Sequence, residues 1–270
     1  TIRYWLRPKL IGFYLIFAPF LLGGGADIQV GNITRFLTVD IVPAPLRESS
    51  LLDASSWVEF FYWTASLINS QAFPGIIATI VLTQIALVVT GFLSLAFFPL
   101  ISEKFLGKYG RMIGHLFLVV IRSTPEFILA YIFLQFWGPS MLPAIVALSL
   151  HNGAIIGHLM GRYSNEISLR PDHAKAIDLY GFEIIPRLYG QFLAFLFYRW
   201  EVIMRETAIL GILGIATLGF YVDSALADIR LDRALFFIVI TASLNIGIDS
   251  LSRYIRNRLR LSRTVQHHSS

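Results

Sequence analysis

Six ionisable residues fall near the middle of long apolar runs: Arg122 and Glu126 in 113-IGHLFLVVIRSTPEFILAYIFLQFWG-138, and Arg199, Glu201, Arg205 and Glu206 in 198-YRWEVIMRETAILGILGIATLG-219. A charge at the centre of a bilayer costs at least about 3 kcal/mol on insertion scales, so such groups face a bundle interior or a water-filled cavity and pair with each other. Their spacing suits pairing. Arg122 and Glu126 are four residues apart, as are Glu201 and Arg205, and each couple is expected to share a helix face. Arg199 and Glu206, seven apart, fall together on another face of the same helix. Pro125 lies inside the first couple, where it removes a backbone donor and releases a carbonyl from the helical ladder. These residues offer a kinked, polar site in mid-membrane; structural ion pairs that only lock helices together are the alternative. Asp249, near the inner end of its run, can meet Arg253 one turn on.

A further run, 147-ALSLHNGAIIGHLMG-161, adds His151, Asn152 and His158. At about 100° per residue the two histidines share a face, and Gly153, Gly157 and Gly161 lie roughly opposite. The glycine stripe lets another backbone approach closely. The histidine face must then point at something polar, although a membrane histidine can simply satisfy a neighbouring carbonyl, the reading preferred for His158. No HExxH occurs, and the 270 residues hold no cysteine, so a zinc hydrolase, a thiolate metal site, disulfides and cysteine catalysis have no support.

The elements that must position these groups are membrane helices. The chain is 56% hydrophobic and 14% charged with a mean hydropathy of +0.66, and its apolar residues come in blocks near 10–25, 73–99, 112–137, 141–160, 188–219 and 234–252. Each is long enough, at about 20 residues, to cross about 30 Å of hydrocarbon. The fold class expected is therefore all-α and integral to the membrane, with about six spans in one domain over 1–270. The first block carries Pro19 and 23-GGG-25 and has no signal-peptide cleavage site. With the N-terminus inside, the inner segments collect Arg3, Arg7, Lys9, Lys104, Lys108, Arg111, Arg162, Arg170, Lys175, Arg187, Arg253, Arg256, Arg258, Arg260 and Arg263, against Arg35, Arg47, Arg230 and Arg233 outside. The positive-inside rule then puts both termini in the cytoplasm. The basic tail, 253–270, reads as an anchor on anionic lipid rather than a nucleic-acid patch. In the outer loop, 26–71, the stretch 57-WVEFFYWTASLI-68 reads as an interfacial helix.

The inner loop, 162–187, is too polar for lipid and too apolar for a linker. Residues 172–180 have helical composition, Gly181 is expected to stop that helix, and Ile177 and Tyr180 would be presented to a cytoplasmic partner. No nucleotide loop is encoded; 107-GKYGR-111 lacks the spacing and the Ser/Thr of a phosphate cradle. Any ATP-driven motor is another chain.

From about Arg111 to Arg260 the sequence resembles the permease subunits of binding-protein-dependent ABC importers, most closely the phosphonate and phosphite type. The motifs carrying this are R-[ST]-x-P-E, here Arg122 to Glu126; the A-L-x-[IL]-H stretch 147-ALSLHNGAIIG-157; and Y-R-[FW]-E-x-x-x-R with its glycine-spaced run, here 198–219. The resemblance implies a MetI-like type I importer fold in the bacterial inner membrane. It also implies a second permease copy or paralogue, two cytoplasmic ATPase subunits holding ATP and Mg, and a periplasmic substrate-binding protein. No cofactor, metal or catalytic residue is expected in this chain. The inner loop becomes the coupling loop, with Asp172, Lys175, Ala176, Ile177, Tyr180 and Gly181 toward the ATPase. Its usual Glu-Ala pair reads Lys175-Ala176 here, and the loop is several residues shorter than usual.

On that reading the cargo is a small phosphorus oxyanion: phosphonate, phosphite or hypophosphite. Arg122, Arg199, Arg205, His151 and Asn152 would supply donors along the path, and Glu126, Glu201 and Glu206 would hold the arginines and keep the pore nearly neutral. Pro125, Gly153, Gly157, Gly211, Gly214 and Gly219 would serve gating and close packing. An importer permease for another small solute, an ion-coupled secondary transporter and a membrane enzyme using His151 and His158 are the competing readings.

Overall fold

The computed structural model describes residues 30–47, 53–172 and 176–259, and no strand occurs among them. The block near 10–25, the residues Arg3, Arg7, Lys9 and Lys175, and the tail beyond 259 lie outside the described residues. The chain divides into two compact units, Thr1–Val42 and Pro43–Ser270. In the first, α1 (Val30–Arg35) passes into a π-helical turn, Phe36–Asp40, and Arg35 Nε lies 3.6 Å from Asp40 Oδ1.

In the second unit, a short α2 (Ala44–Arg47) precedes α3 (Ala54–Leu67), whose first turn is capped by Asp53 accepting from the Ser55 backbone N–H at 3.1 Å. The sequence 68-INSQA-72 contains neither proline nor glycine, and α3 continues through it as a π-helical turn into α4 (Phe73–Phe97) and a 3₁₀ turn, Phe98–Ile101. The stretch expected as a separate interfacial helix is thus the beginning of one 48-residue helical rod. At 1.5 Å per residue the rod is about 70 Å long, more than twice the hydrocarbon thickness, so part of it stands outside the membrane. Next come α5 (Glu103–Ser123), α6 (Glu126–Trp137), α7 (Met141–Glu166), and a short α8 (Ala176–Asp178) that runs through a π-helical segment, Leu179–Ile184, into α9 (Ile185–Leu210). Gly181 therefore does not stop the helix; its φ is not among the positive ones, and the chain keeps turning through it. After the 3₁₀ turn Gly211–Leu213 come α10 (Leu218–Ala227) and α11 (Leu231–Arg258).

Three of these helices are long and apolar enough to cross a membrane alone: 54–101, 141–166 and 231–258. Two bent pairs reach the same length, α5 with α6 at 89° and the 179–213 helix with α10 at 43°. Five of the six expected spans are accounted for this way, and the sixth lies outside the described residues. The third and fifth differ from expectation in being broken rather than continuous. Pro125 causes the first break, because it cannot donate to Ile121 and holds itself and Thr124 in extended conformations. The second occurs at Gly214, whose φ of +82° is a left-handed conformation that glycine adopts without penalty.

α7 is the hub. Its glycine face lies on α4: a Cβ added at Gly153 would come within 2.9 Å of Leu93 Cβ, and at Gly157 within 2.8 Å of Phe97 Cβ, while Gly161 is pressed onto Ile101. Around this seam Leu82, Ala86, Ala147, Leu148, Trp200, Ile203 and Leu210 belong to one buried cluster, to which α4, α7 and α9 contribute most and α6 adds Ala130. The ends are pinned by polar contacts. Asn165 accepts from the Glu103 backbone N–H at 2.9 Å and donates to the Ile101 carbonyl at 3.2 Å, and Lys104 donates to the carbonyls of Ser164 and Ile167. Near the start of α11, buried Asp232 accepts from the Ala44 N–H at 3.2 Å and faces Arg47 at 3.9 Å. The Gly211 and Gly219 backbones meet across the second break, Gly219 against Ala208, so these glycines serve close packing.

The α4–α7 seam generates a stability prediction. Gly157→Ala should cost about 1–3 kcal/mol through overpacking, whereas Gly247→Ala, with open space around its Cα, should be neutral or stabilising by up to about 1 kcal/mol. Thermal unfolding of the detergent-purified chain checks the ordering.

Candidate functional site

The break at 122-RSTPEF-127 creates the site. α5 ends with Thr124 still bonded back, its N–H and Oγ1 both donating to the Val120 carbonyl at 3.2 and 2.9 Å. α6 then starts afresh, Ile128 and Leu129 donating to the Pro125 carbonyl. The Thr124 carbonyl is left out of both helices, and His151 on α7 takes it, with Nδ1 at 3.0 Å. Because a carbonyl only accepts, Nδ1 carries the hydrogen. His151 Nε2 then faces Glu126 Oε2 at 3.9 Å, and both side chains are mostly buried. Glu126 opens the first turn of α6, where a carboxylate also meets the positive end of the helix dipole.

One residue on, Asn152 Nδ2 donates to Glu206 Oε2 at 2.9 Å and to the Leu148 carbonyl at 3.0 Å. Asn152 is fully buried, and its Oδ1 has no hydrogen-bond partner. Glu126, His151 and Glu206 each bring one oxygen or nitrogen within 4.8 Å of the others. Arg199, on the same side of α9 as Glu206, lies within electrostatic reach of both carboxylates. It also lines a cavity of about 360 Å³ with Ile155, Tyr198 and Arg256. Three helices thus gather two carboxylates, an imidazole and an amide at one point, with a guanidinium within electrostatic reach. The two carboxylates and the imidazole are a ligand set for a divalent cation, and Arg199 is the built-in cation beside them.

Of the expected pathway residues, Glu126, His151, Asn152, Arg199 and Glu206 come together. Arg122 does not. The expected shared face of Arg122 and Glu126 would need a continuous helix, and they lie on opposite sides of a right-angled break; Arg122 instead lies within electrostatic reach of His158. Glu201 and Arg205 pair at 3.2 Å as expected, but on an outward face of α9, where the Arg205 side chain is 57% exposed. Asp249 meets Arg253 as expected. The histidines exchange roles: His151 holds the carbonyl, while His158 packs its ring 5.1 Å from that of His115 and leaves Nδ1 without a partner. His115 was not singled out from the sequence, although it stands seven residues before Arg122 and so on the same helix face.

In the inner loop, Tyr180 is turned inward, its hydroxyl donating to the Leu95 carbonyl at 3.0 Å and its ring stacked 5.2 Å from Phe98. Burial against this aromatic cluster outweighs presentation to a partner. Ile177 remains 79% exposed, and Phe182 joins it at 83%. Glu183 braces the segment, accepting from the Arg170 N–H at 3.0 Å and facing Arg187 at 3.2 Å. Asp172 is exposed, and Ala176 begins α8.

The Asn152–Glu206 bond generates a test. Asn152→Leu leaves a buried carboxylate without its donor and should cost about 1.5–3 kcal/mol. Adding Glu206→Leu should recover a large part of that loss, a non-additivity that a double-mutant cycle of thermal stabilities measures.

No family model matches the chain. In sequence it is 24% identical over 144 residues, 51% of its length, to the phosphate-import permease protein PhnE of Mycolicibacterium smegmatis. It is 23% identical over 154 residues, 55% of its length, to the phosphite transport system permease protein PtxC of Stutzerimonas stutzeri. These matches span 27% and 56% of the two relatives. In structure it superposes on a chain of an amino acid ABC transporter crystallised with histidines, with a TM-score of 0.56 and 18% identity over 77% of this chain and 100% of that one. A chain of the inward-facing MetNI methionine ABC transporter gives 0.54 and 16% over 68% and 95%. The fold is that of an ABC transporter's membrane permease, all-α and MetI-like, and over about half its length the chain resembles in sequence one phosphate-import and one phosphite transport permease.

Proposed function

We propose that this chain is the permease subunit of an ATP-driven importer that carries a small phosphorus oxyanion, a phosphonate, phosphite or hypophosphite, across the bacterial inner membrane. The observation that carries this is the cluster at the Pro125 break, where the Arg199 guanidinium can meet an anion beside Glu126 and Glu206, whose charges offset it, while His151 and Asn152 commit their donors to Thr124, Leu148 and Glu206 and hold the cluster in place. A site with donors alone would trap an anion; one balanced by carboxylates lets it leave. Affinity then resides in a periplasmic binding protein, and alternating access comes from rocking of this chain against a second copy or paralogue. The outward Glu201–Arg205 pair on α9 suits the wall of a path shared by the two.

The motor would be a pair of cytoplasmic ATPase subunits with ATP and Mg. The segment from Ile177 to Phe182 suits their docking, because it presents two exposed apolar side chains on a mount braced by Tyr180 and Glu183. Both termini lie in the cytoplasm on this reading.

Two measurements check it. Arg199→Gln should lower phosphite uptake by cells more than tenfold while the amount of folded protein in the membrane stays unchanged; unaltered uptake would remove Arg199 from the pathway. Ile177→Asp with Phe182→Asp should abolish co-purification of an ATPase without loss of the chain itself. Uptake that persists after ATP depletion and follows a pH gradient would instead identify an ion-coupled carrier.

A further inference from the structure

A second cavity, largely apolar but carrying several basic side chains, lies apart from the Glu126 cluster, between α5 and α7 at the end of the bundle pinned by Asn165 and Lys104. Its shape follows from Gly107, whose φ of +64° breaks the helical course of α5. The remainder of α5 then crosses the 98–101 turn, with Gly114 seated on the Leu100 backbone. A cavity of about 600 Å³ is left, lined among others by Glu103, Lys108, Arg111, His115, His158 and Arg162.

The lining is unbalanced. Glu103 is its one carboxylate and is taken by Arg111. Among the described residues, no carboxylate lies within 4.0 Å of Lys108 or Arg162. With both histidines neutral, the wall still carries two positive charges in excess. Like charges sharing one concave surface repel, and an anion seated between them offsets that repulsion. The second observation is independent of charge. His158 is only 6% exposed, lines this cavity, and its Nδ1 is a buried polar atom without a hydrogen-bond partner among the described residues. Such a group costs about 1–3 kcal/mol unless something satisfies it. Guanidinium, ammonium and imidazole groups on one concave wall match the oxygens of a tetrahedral phosphorus oxyanion.

We propose that this cavity binds a phosphate-type oxyanion through Lys108, Arg162 and His158, with His115 beside His158 on the same wall. The anion is either the phosphodiester of an anionic lipid entering from the side, where Tyr109 and Met112 offer an apolar wall, or a free oxyanion from solution. The pocket stands whether or not the chain carries such an anion across the membrane.

The test uses the full chain and reads binding, so a failed uptake assay does not touch it. Thermal unfolding is followed in neutral detergent against inorganic phosphate, with chloride at equal ionic strength as control. It is followed again in nanodiscs of phosphatidylcholine with and without phosphatidylglycerol. A saturable rise with phosphate, weakened at least tenfold in apparent affinity by Lys108→Gln with Arg162→Gln, establishes a free-oxyanion site. A rise only with phosphatidylglycerol, lost in the same variant, establishes a lipid site. No rise in either setting, or an equal rise in the variant, overturns the pocket. If the double variant is not recovered folded, Arg162→Gln alone serves, since that side chain is exposed and makes no ion pair among the described residues.

Discussion

Backbone and side-chain polar groups buried away from water must find partners inside the protein, and in this chain that demand converges on one carbonyl. Pro125 ends α5 and leaves the Thr124 oxygen outside both flanking helices; His151 takes it, and in doing so its other nitrogen is aimed at Glu126. The right-angled turn is what brings Glu126 to α7. Were α5 and α6 one straight helix, Glu126 would follow Arg122 along a face and the three-helix cluster would not exist. A single residue without an N–H therefore does more to assemble the site than any one ionic contact within it.

α7 can serve this site because its two faces do different work. The glycine face is held against α4 at backbone contact distance, which fixes the rotation and depth of the helix. Rotation then determines where His151, Asn152 and His158 point. Asn152 ties α7 to Glu206 on α9, so α6, α7 and α9 are coupled through polar groups at one level of the bundle. A relative shift of α9 against α7 has to break or exchange that bond. This is a physical route by which motion near the inner loop, continuous with α9 through residues 179–184, reaches the cluster.

Much of this was legible in the sequence. Apolar block lengths give the spans, the four-residue glycine spacing gives one close-packed face on α7 without naming α4 as its partner, the cost of buried charge singles out Glu126, Arg199 and Glu206, and the helix face opposite the glycines adds His151 and Asn152. What was not legible was tertiary. The spacing of Arg122 and Glu126 implies a shared face only if the helix is continuous, and Pro125 alone predicts a kink, not the 89° break that the structure has. Tyr180 looked like a presented side chain, but the aromatic pocket of Phe98 and Phe105 that captures it comes from elements about 80 residues earlier. Gly181 has the composition of a helix stop, yet tertiary contacts carry the turn through it. His115 carried no local signal beyond its register with Arg122, and its importance emerges only when His158 lies opposite.

The proposed transport role requires the charges of the cluster to meet water along a path rather than lie in dry packing. The chain has no cysteine, so a single Ile155→Cys, placed in the cavity that Arg199 lines, can report on water at that depth. In membranes with the assembled transporter, the account predicts rapid modification by a charged, membrane-impermeant thiol reagent and slower modification when phosphite is present. Reaction no faster than that of Val239→Cys on the exposed face of α11, with no effect of phosphite, would contradict it.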